Sequence, residues 1–314
     1  MGLEKEIWKK TIEEKLKQDN TFLNHISDVS ESNIVNGKIV HVPQAGEPSK
    51  VVKNRTTLPA EVKKRTDSEV LYKIDEYTTD PIYIPHAETV ELSYDKRRSV
   101  LDQDVANLSE EVAEGMLTNM VVSPIGDNKS LPQKNILETT GTATPVLLES
   151  ATGNRKKWTL SDLQRMQNLI RSQKAWQEGQ MYALLPANAM VDLFPADSQL
   201  TATYMQSVTE EERRLGVIFK VQGFNIMLRS SVFTMSNTKE FKAFGSVVAA
   251  TDSEAGIFWN KQMVEKAFGD LETFERERDP QYYGDIYSFL VRMGGRAKRK
   301  NFEGVAVLKQ ANAS

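Results

Sequence analysis

Ile39-Val40-His41-Val42-Pro43 and Ile82-Tyr83-Ile84-Pro85 are two short alternating apolar runs, and between them lies a charged stretch of 38 residues, Gln44 to Pro81. Alternation of this kind marks half-buried strands. The stretch between the runs has almost nothing from which to build a core of its own. If the two runs pair with each other, the stretch must leave the body as a two-stranded arm. Each arm strand could then be up to about 17 residues, roughly 55 Å at ~3.3 Å per residue. A compact chain of 314 residues has a radius of gyration of about 20 Å, so the arm overshoots its own domain. An isolated strand pair is marginal in water and its edges invite pairing, which points to a neighbouring copy as partner.

Working outward from the stretch, Asn36-Gly37 is a turn signal before the first run. Inside it, Glu69 to Tyr77 alternates as one strand, Val51-Val52 starts a weaker one, and Leu58-Pro59 suggests a tip or bend. Downstream, Asp95 to about Val121 reads as a long helix. Leu101, Val105, Leu108, Val112 and Met116 fall along one face, Ser93 or Asp95 can cap it, and Ser123-Pro124-Ile125-Gly126-Asp127 stops it. Such a helix is a rod of roughly 40 Å. Upstream, residues 3–17 read as a short helix with Leu3, Ile7, Trp8, Ile12 and Leu16 on one side, followed by a polar hinge from Lys17 to Asn20.

Residues 122–157 are loop with one short strand at most, and mark the passage into a second lobe. Thr159-Leu160-Ser161-Asp162 is a capping box that opens a helix to about Glu178. Met181 to Leu185 reads as a buried strand and Ala187 to Leu193 as a short helix. Val217–Val221, Ile226–Phe233 and Ser246–Thr251 read as strands, followed by Gly256-Ile257-Phe258-Trp259. Val264–Phe268 is then separated by Gly269 from a polar run, Phe274–Asp279. Tyr287–Met293 and Gly304–Leu308 close the chain as two strands joined by a basic turn.

Composition bounds the function. Hydrophobic residues at 39% and charged residues at 26% suit a soluble globular protein. No apolar run approaches the ~18 residues that cross a membrane, and Met1-Gly2-Leu3-Glu4-Lys5-Glu6 has neither a secretory core nor a myristoylation pattern. The absence of cysteine excludes disulfides, thiol nucleophiles and thiolate metal sites together. A formal net charge of −3 lacks the basic excess of a dedicated nucleic-acid binder. The positives are local: Lys50, Lys53, Arg55 and Lys63-Lys64-Arg65 in the stretch, and Arg292, Arg296, Lys298, Arg299 and Lys300 near the end. A solvated face, pairing with acidic patches of a neighbouring copy, and direct nucleic-acid contact are the three readings of these clusters.

Catalytic readings fail on their own residues. His25, His41 and His86 have no spacing for a zinc site on one helix, although His41 and His86 sit in or beside the two bracketing runs and could approach across a sheet. Gly126-Asp127-Asn128-Lys129-Ser130 lacks the glycine frame of a phosphate-binding loop. Asp102, Asp104, Glu110, Glu111 and Glu114 share one helix, where a solvated acidic face explains them better than convergent acid–base chemistry. Trp158, Trp176 and Trp259 read as core or interface anchors.

The order of elements resembles the major capsid proteins of tailed bacteriophages, the Hong Kong 97-like fold. The likeness rests on Val35-Asn36-Gly37-Lys38-Ile39-Val40-His41-Val42-Pro43 leading into the arm, on Tyr94 to Val121 as spine helix, and on Asp279-Pro280-Gln281-Tyr282-Tyr283-Gly284 followed by Arg296 to Leu308. It implies an α+β Hong Kong 97-like capsid fold. Residues 1–35 would be the N-terminal arm, 36–94 the extended E-loop and its flanking strands, and 95–121 the spine helix of a peripheral domain. Residues 122–285 would be an axial domain and 286–314 C-terminal strands returning to the peripheral domain. The same resemblance implies a major capsid protein that self-assembles into pentamers and hexamers of an icosahedral head around double-stranded DNA. It implies no catalytic, cofactor-binding or metal-binding residues and no cofactors. Partners would be other copies of the chain, scaffolding, portal and decoration proteins, and packaged DNA contacted weakly and non-specifically, with no membrane. Its place would be the virion, assembled in the host cytoplasm. An encapsulin-type nanocompartment shell is the rival within the same architecture. A monomeric enzyme built on the second lobe and a DNA-binding protein are the rivals from other classes.

Overall fold

The computed structural model describes residues 20–29, 34–35, 39–46, 49–56, 58–59, 62, 64–85, 96–125, 129–195 and 199–313. The helix expected over residues 3–17, most of the hinge after it, the cap at Ser93 or Asp95, and His86 lie outside the described residues. In chain order come β1 (Ser27–Asp28), β2 (Ile34–Val35), β3 (Ile39–Gln44), β4 (Ser68–Lys73), β5 (Asp75–Thr78), β6 (Ile82–Pro85) and helix α1 (Lys96–Val121). They are followed by β7 (Ile136–Glu138), β8 (Ala143–Pro145), β9 (Asn154–Lys156), α2 (Leu160–Ser172), β10 (Met181–Pro186), α3 (Ala187–Leu193), α4 (Gln199–Gln206) and α5 (Glu210–Arg214). The remainder is β11 (Phe219–Val221), β12 (Phe224–Arg229), β13 (Phe233–Met235), β14 (Ser253–Asn260), β15 (Val264–Asp279), β16 (Gly284–Ala297), β17 (Val305–Lys309) and β18 (Asn312–Ala313).

Two sheets organise the core. The first runs β1-β15-β16-β5, with β6 further along β16. Tyr287, Phe289, Val291 and Met293 of β16 are buried at every second position, which puts them all on one face. Against that face lie Val105, Leu108, Val112 and Met116 of the expected α1 stripe, joined by Ala113, Leu117 and Met120, while the side chain of Leu101 lies outside the described residues. Contact is close: a side chain added at Gly295 of β16 would collide with the sulfur of Met116.

The second sheet runs β11-β12-β10-β14-β17-β7, with β13 also on β14. Its central strands β10, β14 and β17 are buried from end to end. The period of two divides their residues between two cores. Leu184, Ile257, Trp259, Val305 and Val307 join the cluster under α1. Ala183, Leu185, Phe258, Ala306 and Leu308 face the opposite way, onto Leu163, Met166 and Ile170 of α2. Continuous apolar strands are what burial on both faces demands.

Several expectations change on contact with this topology. The bracketing runs do not pair with each other: β3 pairs with β4, and β6 pairs with β16. The strand expected over Glu69–Tyr77 breaks at Ile74 into β4 and β5, which lie in different sheets, because β5 pairs with β16. Val51-Val52 forms no strand. Residues 122–157 hold three short strands where one at most was expected. The helix α2 ends at Ser172, well before Glu178, since Lys174 adopts a φ of 57° in the left-handed region, where a helix cannot continue. Ser246–Thr251 is not a strand. The Arg155 guanidinium takes hydrogen bonds to the carbonyls of Ala250 and Asp252 at 3.0 and 2.7 Å, which shapes this segment as a loop.

The largest change concerns the chain's last quarter. Val264–Asp279 is one 16-residue strand with a register shift at Phe268/Leu271 in place of a break at Gly269. With β16 it forms the long hairpin beneath α1, in the first sheet and not the second. The two closing strands are not a pair: β16 lies in the first sheet, whereas β17 pairs with β14 and β7 in the second. Residues 305–309 thus lie in the second sheet, while Val305 and Val307 still join the core under the helix.

Leu117 is fully buried in the last turns of α1. Leu117→Ala should lower unfolding free energy by about 2–5 kcal/mol, whereas Glu110→Ala on the exposed face of the same helix should change it by less than about 0.5 kcal/mol. Denaturant titration of the two variants checks the contrast.

Candidate functional site: a bare arm, a strand edge and an anchored terminus

The root of the arm is a ribbon with one apolar face. In the β3–β4 register, Val40 stands opposite Tyr72 and Val42 opposite Val70. All four are buried, together with Ala267 of β15, in a small core of their own. Such cross-strand pairs are the unit of sheet stabilisation. Polar contacts fasten the ribbon to the first sheet. The Tyr72 hydroxyl donates to Glu265 Oε1 at 3.1 Å, Arg296 Nη1 donates to the Leu71 carbonyl at 3.1 Å, and Gln44 Nε2 donates to the Lys298 carbonyl at 2.7 Å. Lys298 Nζ stands 3.3 Å from Glu265 Oε2. Burial, and after it the charge of Glu265, hold the Tyr72 phenol well above its ordinary pKa.

The ribbon closes at Gly46. Its N–H donates to Asp67 Oδ1 at 2.8 Å, and any side chain at this position would strike the carbonyl of Thr66. Arg65 clamps Asp67 through Nε at 2.7 Å and Nη2 at 2.9 Å. These bonds hold the Asp67 carboxyl below the usual carboxylate range. Farther back, His41 Nδ1 stands 2.9 Å from Glu69 Oε2 in an exposed pair, worth about 1 kcal/mol or less.

Beyond Gly46 the chain touches little of itself. Every described residue from 49 to 69 is exposed. Val51 is 94% exposed, Leu58 78% and Val62 96%, so the arm is not laid back on its own body. The overhanging part is residues 45–67, shorter than the stretch expected from the sequence. Fully extended at ~3.3 Å per residue, each limb could reach at most roughly 35 Å.

The hairpin β15–β16 offers a second bare region. Its turn carries Tyr282 and Tyr283, both exposed, with the Tyr83 hydroxyl donating to the Tyr282 carbonyl. Phe268 and Phe274 lie exposed along β15.

The segment Asn20–Asp28 staples the two sheets together. Asn20 Nδ2 donates to the Ser109 carbonyl of α1 at 3.0 Å, and Lys266 Nζ donates to the Leu23 carbonyl at 2.8 Å. Trp259 Nε1 donates to the His25 carbonyl at 2.9 Å. The His25 ring stacks on Tyr182 with centroids 4.3 Å apart and donates from Nε2 to the Leu215 carbonyl at 2.8 Å. The ring borders a cleft that also holds Glu178, Glu212 and Lys220. Glu212 is held down to about 2 by its bond to Lys220 and then by the Thr209 amide.

The remaining singled-out residues are scattered. His25 and His41 lie in different places and share no site. Among the described residues no cluster of three or more His, Asp or Glu is placed to hold a metal ion. Lys129 and Ser130 lie beside the end of α1, with Ser130 bridged to Val122 and the Lys129 carbonyl accepting from Ser123 N. Glu114 reaches Arg229 at 3.6 Å, while Glu110 and Glu111 are exposed. Trp158 and Trp259 are core residues. Trp176 packs edge-on to Phe224 beneath Arg171. Of the C-terminal cations, Arg292 pairs with Glu76, and Arg296 and Lys298 serve the arm root. Arg299 and Lys300 line an open cleft beside it with Lys174. No helix among the described residues is long and apolar enough to cross a membrane.

No family model matches this chain, and no curated protein matches it in sequence. Solved structures do match in shape. The capsid of Ralstonia phage GP4 superposes with a TM-score of 0.65 at 11% identity, over 92% of this chain and 88% of that one. The cyanophage Pam1 capsid superposes with a TM-score of 0.62 at 10% identity, over 95% and 93%. The capsid of cyanophage P-SCSP1u gives 0.58 at 17% identity, over 93% and 88%. Likeness over nine tenths of the chain shows that its fold is the Hong Kong 97-like capsid fold, α+β in class.

Burial lowers the pKa of His25, helped by the positive charges of Lys261 and Lys266, against the raising effect of its bond to Leu215. The folded state therefore binds this proton less readily than the unfolded chain. Stability from His25 is complete above about pH 6.5, the unfolded value, and is lost as pH falls toward the folded pKa. His25→Gln, which keeps a donor for Leu215, should lose less stability than the parent between pH 7 and pH 5.5 in denaturant melts. Equal losses would remove His25 as the cause.

Proposed function

We propose that this chain is the major capsid protein of a tailed bacteriophage. Copies assemble into pentamers and hexamers that close an icosahedral head around double-stranded DNA. The observation that carries the reading is the bare arm, rooted by a dedicated small core, on a chain with the capsid fold over nearly its whole length. A monomer has no use for a projecting segment with Val51, Leu58 and Val62 in water, whereas a neighbour's surface would bury them.

The parts divide by role. Residues 45–67 are the extended loop that reaches a neighbour. The helix α1 with β1, β5, β6, β15 and β16 is the peripheral part of the subunit. The sheet centred on β10, β14 and β17, with α2 to α5, is the axial part, packed around the ring's symmetry axis. Other copies of the chain are the main partner, with scaffolding, portal and decoration proteins as further ones, and the virion is its place. Contact with packaged DNA is weak and non-specific. The net charge is −3, and Arg292, Arg296 and Lys298 are already engaged within the chain.

Deleting residues 49–65 spares Gly46, Asp67 and the β3–β4 ribbon. The deletion should give a folded, soluble subunit with unchanged circular dichroism that forms no closed shells in electron micrographs, while the intact chain forms them. Normal shells from the deletion would contradict the mechanism.

A further inference from the structure

Where the arm leaves the body there is an open cleft of about 410 Å³. Its lining comes from the arm root, through Gln44 and Ser68, and from the body, through Lys174, Arg299, Lys300 and Glu303. Hydrogen bonds within the chain fix the body part. Gln173 accepts from Gly304 N at 3.1 Å through Oε1 and donates from Nε2 to Asn135 Oδ1 at 2.9 Å. This ties the end of α2 to the turn 299–304, where Phe302 and Gly304 take φ of 57° and 83° and Phe302 N donates to the Arg299 carbonyl at 3.1 Å. The bond from Gln44 Nε2 to the Lys298 carbonyl holds the arm root to the start of the same turn.

The charges around the cleft do not balance. Neighbouring cations are matched inside the chain, Arg292 by Glu76 and Lys298 by Glu265. Among the described residues, Lys174, Arg299 and Lys300 have no ion-pair partner. Glu303 is the one carboxylate in the lining, and its Oε1 accepts from Asn301 Nδ2 at 3.1 Å. Three cations against one carboxylate leave two positive charges uncompensated. A cation at a helix C-terminus is favoured by the helix dipole, which accounts for Lys174 at the end of α2. It does not account for Arg299 and Lys300, which lie on the turn between β16 and β17.

We propose that this cleft binds a phosphate group. A guanidinium presents paired N–H donors that match two phosphate oxygens, and lysines add compact charge beside it. A phosphate carrying close to two negative charges cancels the excess. The Ser68 hydroxyl offers a neutral donor from the arm root, so the bound group joins arm root and body across the cleft. Free phosphate and the backbone of a nucleic acid carry this same chemistry. The site belongs to a single subunit and does not depend on the shell reading.

Calorimetric titration of the unassembled chain, at ionic strength held constant with sodium chloride, measures binding of inorganic phosphate and of oligothymidylate. The variant Lys174→Gln/Arg299→Gln/Lys300→Gln alters three exposed side chains and should keep its circular dichroism. It should bind phosphate at least about tenfold more weakly than the parent, and Arg299→Gln alone should weaken binding in the same direction. Lys134→Gln, which removes an exposed lysine elsewhere, should bind as the parent does. Bound phosphate should also slow amide exchange at residues 44–46 and 299–304. Saturable binding of inorganic phosphate alone assigns the site to free phosphate, and tighter binding of oligothymidylate assigns it to a nucleic-acid backbone. Either result supports the proposal. Absence of saturable binding, binding that the triple variant retains, or tighter binding of oligoglutamate than of both phosphate forms overturns it. Each of these outcomes leaves shell formation, read separately from particles, untouched.

Discussion

The hairpin of β15 and β16 is the element on which the other parts depend. Its inner face is the floor for α1, its base carries the arm root through Ala267, Glu265 and Arg296, and its start is gripped by the Asn20–Asp28 segment. Strands of 16 and 14 residues are longer than one small core can cover. The hairpin therefore cannot be buried along its whole length. Part of it becomes floor, and the rest becomes surface with backbone groups to spare.

That geometry explains why the chain reads as a component and not as a finished object. Full burial of an exposed Val or Leu side chain is worth about 1.5–3 kcal/mol. Bringing two proteins together costs an estimated 4–15 kcal/mol before any contact counts. One arm laid on one neighbour lands near the break-even point. In the proposed shell, a closed ring would repeat the same contact around its circumference, and association would become cooperative without any single contact being strong. The exposed pairs His41–Glu69 and Arg292–Glu76 lie within the chain and add little to its stability.

Much of the fold was legible in local pattern. The stripe Val105, Leu108, Val112, Met116 announced α1, the box Thr159–Asp162 announced α2, and the unbroken run Met181–Leu185 announced a strand buried on both sides. The bareness of residues 49–66 was legible too, because a stretch so poor in apolar residues has no core to form. The hairpin was misread at Gly269, where a bulge imitates a break, and its polar outer run resembles a loop because only one of its faces meets the protein.

The sequence alone determined what the most strongly patterned segments become, since helical and extended periodicities and the lack of a core in the arm depend on neighbours a few residues away. It could not determine partners. Val291 meets Tyr77, and Val307 meets both Ile257 and Ile136. A period of two is the same for every strand that might have been chosen. Only packing α1 and α2 on opposite sides of one continuous body selected among them, and that selection left the outer edge of β15 beyond Lys266 with no partner strand among the described residues.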